Sequence, residues 1–111
     1  MKVVFINSER IGEGDEELGR KLMGSFVYAL ARTDDKPDAI ALMNGAVRMA
    51  CDDSPVLDDL WLLAADGVRI YSCGTCVDWF SLKETLAVGE ISMMNDVVAL
   101  FMQADSVVSV G

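Results

Sequence analysis

Two cysteines three positions apart, in the run Ser72-Cys73-Gly74-Thr75-Cys76, are the residues of this chain whose types and spacing point most directly to chemistry. They follow Val68-Arg69-Ile70-Tyr71, which reads as a buried strand, and the carboxyl ends of strands are where α/β sheets place their sites. The chain contains no histidine, so base, nucleophile and ligand roles fall to other groups and thiol chemistry leads. A thiol at the amino end of a helix is expected to ionise more easily, from ~8.5 down into the range of roughly 3.5 to 7.5. Cys73 is placed to leave the strand and face the N–H groups of the next turn. Gly74 permits unusual dihedral angles and close approach. Thr75 offers a hydroxyl to a sulfur anion, and Cys76 is near enough to be a resolving thiol or second carrier. The same pair also reads as two small buried residues.

Other chemistries have weaker support. Structural zinc wants four ligands, whereas Cys73, Cys76 and Cys51 are the only cysteines. One subunit therefore falls short, and no metal or cofactor is implied. A thioredoxin-like oxidoreductase uses C-x-x-C at a helix start but also a cis-proline further along; Pro37 and Pro55 both precede Cys73. Gly12-Glu13-Gly14 before a helix has the outline of a phosphate loop, but Glu13, Asp15, Glu16 and Glu17 repel phosphate, so it reads as a flexible entry loop. Asn44-Gly45 reads as a turn ending a strand, at the same sheet edge as Cys73. Cys51 reads as a small core residue, and the methionines, Met93 and Met94 included, as packing or oligomer contacts.

The elements that must position these residues follow from hydrophobic patterning. A chain of 111 residues makes one domain with a substantial core. It is 52% hydrophobic, with a mean hydropathy of +0.32, yet no apolar run approaches the ~18 residues of a membrane span. Met1-Lys2 leads straight into strand-like Val3-Val4-Phe5-Ile6 without a leader pattern. The expected location is cytoplasmic, where thiols stay reduced. A net charge of −9 argues against nucleic acid and against an anionic membrane surface. Strands are expected at Lys2 to Ile6, Asp38 to Met43, Val68 to Ser72 and Val107 to Val110, and Val88 to Ile91 reads either as a short strand or as a loop. Helical spacing runs from Asp15 through Leu18, Leu22, Phe26 and Leu30. A second helix is expected from Ser54 as N-cap and Pro55 as first residue to a stop at Gly67. Further helices are expected through Trp79, Leu82 and Leu86, and from Met94 to Ala104. Strands alternating with helices predict a three-layer, flavodoxin-like α/β fold: a mostly parallel sheet of four or five strands with helices on both faces.

Several of these residues also resemble a known family. Gly12-Glu13-Gly14-Asp15-Glu16-Glu17-Leu18-Gly19, Leu22-Met23, Ser25-Phe26, Asn44 with Val47, Ser54-Pro55-Val56-Leu57, Gly67-Val68, Cys73-Gly74-Thr75-Cys76 with Asp78, and Val88-Gly89-Glu90 are similar, in order and nearly end to end, to the DsrE-like domain of YedF proteins. The chain departs from that pattern at Met93-Met94, where the family tends to Asn-Met, and at Ala46, where it tends to glycine. The resemblance implies a DsrE-like domain over residues 1–111 and a place in sulfur or selenium metabolism. It makes Cys73 the expected carrier of a persulfide and Cys76 the auxiliary thiol, with Gly74, Thr75 and Asn44 shaping the site. YedF proteins usually carry a TusA-like domain ahead of this one. Donor and acceptor are therefore expected to be separate proteins, a TusA-like protein in trans among them, and the chain is expected to form a homo-oligomer. Two other readings stay open: a non-enzymatic oligomeric or regulatory subunit with a structural or redox-sensing cysteine pair, and a thiol-disulfide reductase.

Overall fold

Continuous apolar runs become the strands of one parallel sheet. In a computed structural model covering residues Met1 to Gly111, β1 (Lys2–Ile6), β2 (Ala39–Leu42), β3 (Arg69–Cys73), β4 (Glu90–Ser92) and β5 (Ser106–Val110) pair in the order β4-β3-β2-β1-β5. All four pairings are parallel, so every carboxyl end lies along one edge. The expected α/β layering is what forms, with five strands.

The pleat separates two faces. Val4, Ile6, Ile40, Leu42 and Ile70 point to one side and join Met23, Val27, Leu60 and Leu63 in the main core. These last four come from α1 (Glu16–Arg32) and α2 (Leu57–Ala65), which cover that face. The opposite face carries Val3, Phe5, Ala39 and Ala41. It is covered by α4 (Met94–Gln103), whose Phe101 meets Phe5 edge-on at 5.3 Å between centroids. α1 begins as its sequence dictates: the Asp15 carboxylate accepts from Leu18 N, and Glu16 and Glu17 follow at the positive end of the helix dipole.

Three expected boundaries move. Asn44-Gly45, expected as a turn ending a strand, also opens a 3-10 helix, Asn44–Ala50. α2 starts at Leu57, because the Ser54 hydroxyl accepts from Val56 N at 3.2 Å and closes a turn rather than capping the helix. The helix after the cysteines, α3 (Gly74–Trp79), is much shorter than the spacing of Trp79, Leu82 and Leu86 predicts. Ser81 takes a left-handed φ of +55°, and Leu82 N donates back to Val77 O at 2.9 Å, which terminates the helix in a Schellman-type turn. The chain beyond it is tied to the end of the 3-10 helix: Asp52 N donates to Thr85 O at 3.0 Å and Ala87 N to Ala50 O at 2.8 Å. Gly67 ends the α2 turn with φ +93°, as expected of a helix stop.

Candidate functional site

Cys73 is the last residue of β3 and the residue that caps α3; Cys76 lies one turn into that helix. The strand end and the short helix thus bring the two free thiols close together. They are not equivalent. Cys73 is only 2% exposed, under the sheet edge, whereas Cys76 is partly open. Cys76 faces a groove of about 240 Å³ lined by Asn44, Thr75, Trp79 and Phe80. Trp79 is 82% exposed, so a large aromatic surface stands unpaired beside the accessible sulfur.

The turn that ends β2 completes the site. Asn44 adopts a left-handed φ of +52°, and its backbone N–H donates to Cys76 Sγ at 3.1 Å. Asn44-Gly45 is therefore more than a strand-ending turn, because it holds the sulfur. Thr75 lines the groove, but the hydrogen bond to sulfur comes from Asn44. The space above Gly74 is taken: a Cβ there would lie 2.7 Å from Met93 Sδ and 3.1 Å from an Ile91 methyl. Gly74 serves close packing of α3 against the β4 end rather than room for an incoming group. Met93, the position where the chain departs from the family pattern, forms that cover.

Easy ionisation was expected of the thiol at the helix start, Cys73; at Cys76, one turn on, the surroundings disfavour the thiolate. Burial of the sulfur pushes the thiol pKa up, and the neighbouring Cys73 adds to this; the Asn44 N–H pulls against both. Ser72, beside the pair, is fully buried with its hydroxyl unpartnered. Cys51 stands apart in the core and donates to Val47 O at 3.5 Å. No three His, Cys, Asp or Glu side chains gather as metal ligands would.

Sequence reasoning missed the residues around the pair. Arg48 lies over the Phe80 ring, its guanidinium carbon 4.0 Å from the centroid. Glu9 accepts from both Arg48, at 3.0 Å, and Arg20, at 3.2 Å. The available signal was the scarcity of cations in an acidic chain, but these come from distant segments. The largest cleft, about 460 Å³ between α4 and the β3–β4 edge, contains no cysteine, and Arg69 on its wall is paired with Glu90. It offers no thiol; the thiol pair opens instead to the smaller groove.

Fold and site together define an all-parallel α/β protein with a thiol pair at the carboxyl end of a strand. Among solved structures it resembles the ychN protein from E. coli, with a TM-score of 0.71 and 20% identity over 98% of this chain and 99% of that one. It also resembles MTH1491 from Methanobacterium thermoautotrophicum, a protein of unknown function, at 0.66 and 21% over 97% of each chain. BT1422 from Bacteroides thetaiotaomicron, also of unknown function, matches at 0.64 and 12% over 98% and 94%. The chain shares the fold of these proteins along nearly its whole length. No family model and no curated protein matches it. No helix is long and apolar enough to cross a membrane.

Proposed function

We propose that this chain is a sulfur carrier of the DsrE-like kind, relaying sulfane sulfur, or selenium in its place, on Cys73 and Cys76. The observation that carries the reading is the thiol pair itself: two free sulfurs in mutual reach at a parallel strand end, one buried and one open to a groove. The whole-chain likeness to ychN and MTH1491 supports the fold part of the reading. Cys76 loses its proton to solvent, and its thiolate attacks the outer sulfur of a donor persulfide. The donor S–S bond breaks, the donor thiolate leaves, and Cys76 carries the extra sulfur. Cys73 then attacks that outer sulfur as its proton passes to the departing Cys76 sulfur, the Cys76 S–S bond breaks, and the sulfur rests on the buried Cys73. Return through Cys76 delivers it to an acceptor thiol. Each step is a thiol exchange governed by thiolate fraction and access. The exposed Trp79 beside the groove suits a protein donor such as a TusA-like protein in trans. The apolar outer stripe of α4, Met94-Val98-Met102, suits self-assembly.

Mass spectrometry after exposure to a persulfide donor tests this. Wild type gains one sulfur, Cys76→Ala fails to load, and Cys73→Ala loads but loses the sulfur faster. Absence of loading in wild type, or wild-type loading in both variants, overturns the reading. A second reading, a structural or redox-sensing pair in a non-enzymatic subunit, is favoured by the buried Cys73 and the raised Cys76 pKa. It predicts a reversible Cys73–Cys76 disulfide and no retained sulfur.

A further inference from the structure

The carboxyl ends of β1 and β2 hold a second cavity, next to the thiol groove. It measures about 190 Å³, and its walls are polar throughout: Ser8, Arg10, Arg20, Asn44 and Arg48 surround Glu9. Three arginines line it in a molecule whose net charge is −9. Glu16 pairs with Arg10, outside the cavity lining, and Glu9 alone sits between Arg20 and Arg48, so the Arg20–Glu9–Arg48 group keeps one positive charge in excess. Glu9 acts as a spacer. Arg20 and Arg48 each give it one nitrogen, and a guanidinium has five N–H donors in a rigid fork, so most donors of both groups remain uncommitted. Packing over the Phe80 ring holds the Arg48 guanidinium carbon 4.0 Å from its centroid.

Asn44 connects this cavity to the chemistry. It lines both the cavity and the thiol groove, and its N–H is the one bonded to Cys76 Sγ. An anion held by Arg20 and Arg48 therefore shares a wall with the accessible sulfur. The volume admits a small oxyanion or a single carboxylate-bearing group and excludes a nucleotide. We infer that the Arg10–Arg20–Arg48 cavity binds the anionic end of a small sulfane-sulfur donor and presents its outer sulfur to Cys76.

With thiosulfate as the donor, the Cys76 thiolate attacks the sulfane sulfur, the S–S bond breaks, and its electron pair departs with sulfite, leaving a persulfide on Cys76. With a carboxylate-bearing persulfide, the leaving group is the corresponding thiolate. The transfer step rests on the carrier reading; the anion site does not.

Alkylation separates the two. Iodoacetate and iodoacetamide attack the same thiol and differ in charge. In wild type, Cys76 is expected to favour iodoacetate over iodoacetamide relative to free cysteine. Arg20→Gln and Arg48→Gln should lower the iodoacetate rate about tenfold, the effect of losing one charge-assisted hydrogen bond, while the iodoacetamide rate stays within about twofold, which also reports an intact fold. Thiosulfate and succinate as competitors identify the source. Protection by thiosulfate alone assigns an oxyanion donor; protection by succinate assigns a carboxylate-bearing one. An unchanged iodoacetate-to-iodoacetamide ratio in both variants, or no saturable protection by either anion, overturns the inference. If protection is seen but wild type retains no sulfur from any donor, the anion site stands and the carrier reading fails.

Discussion

Cys76 binds its proton more tightly than an ordinary thiol because its sulfur is partly withdrawn from water and sits beside a second thiol. The sign of the consequence is fixed. A raised pKa means less thiolate at neutral pH, so the iodoacetamide rate at Cys76 should climb with a midpoint above that of free cysteine, ~8.5. Cys73→Ala removes one of the raising influences and should move the midpoint down. A midpoint at or below the free value would contradict the burial seen here. Scarcity of thiolate is partly offset, because a thiolate of higher pKa is the stronger nucleophile. The carrier reading therefore predicts loading that accelerates with pH rather than one already saturated at neutrality.

At the scale of elements, two glycines with different surroundings separate packing from backbone constraint. Gly89, just before β4, has φ +78°, and a Cβ there would lie 2.3 Å from Ile70 O, a backbone atom that cannot move aside. Gly89→Ala should cost about 2 to 4 kcal/mol and detach β4, read as a lower midpoint in urea denaturation. At Gly74 the obstructing atom is the flexible end of Met93, so Gly74→Ala should cost only about 1 kcal/mol. A larger loss for Gly74→Ala than for Gly89→Ala would reverse this account. The strands β1, β2, β3 and β5 and the helices α1 and α4 were legible in the sequence because apolar residues recur in them at strand or helical spacing. The end of α3 was not, because the residue that breaks it is Ser81, in a backbone conformation usually left to glycine or asparagine. Ser54-Pro55 misled for a related reason: the same residues that cap a helix also close a turn. Of the site, the cysteine pair was visible as a local motif. The arginine cavity was not, since Arg10, Arg20 and Arg48 come from a loop, α1 and the 3-10 helix, and only the fold brings them together.

For the whole molecule, the distribution of apolar surface sets the expected behaviour in solution. Met94, Val98 and Met102 recur every fourth residue along the outer side of α4, and each is about half exposed or more. Sedimentation at micromolar concentration should give a mass that is a multiple of 12.0 kDa, and Val98→Glu should reduce it. A wild-type monomer under those conditions removes self-assembly from the proposal. One further consequence lies in the strand order. β1 sits between β2 and β5, and Lys2 pairs with Ser106 across nearly the whole chain. The ribosome makes β5 after every other strand, so the nascent protein emerges with one side of β1 open and can seal it only late. Such distant parallel pairings are slow to form. β1, made before the other four strands of this sheet, is thus among the last of them to be fully protected, and the growing chain depends on it not meeting another copy of itself first.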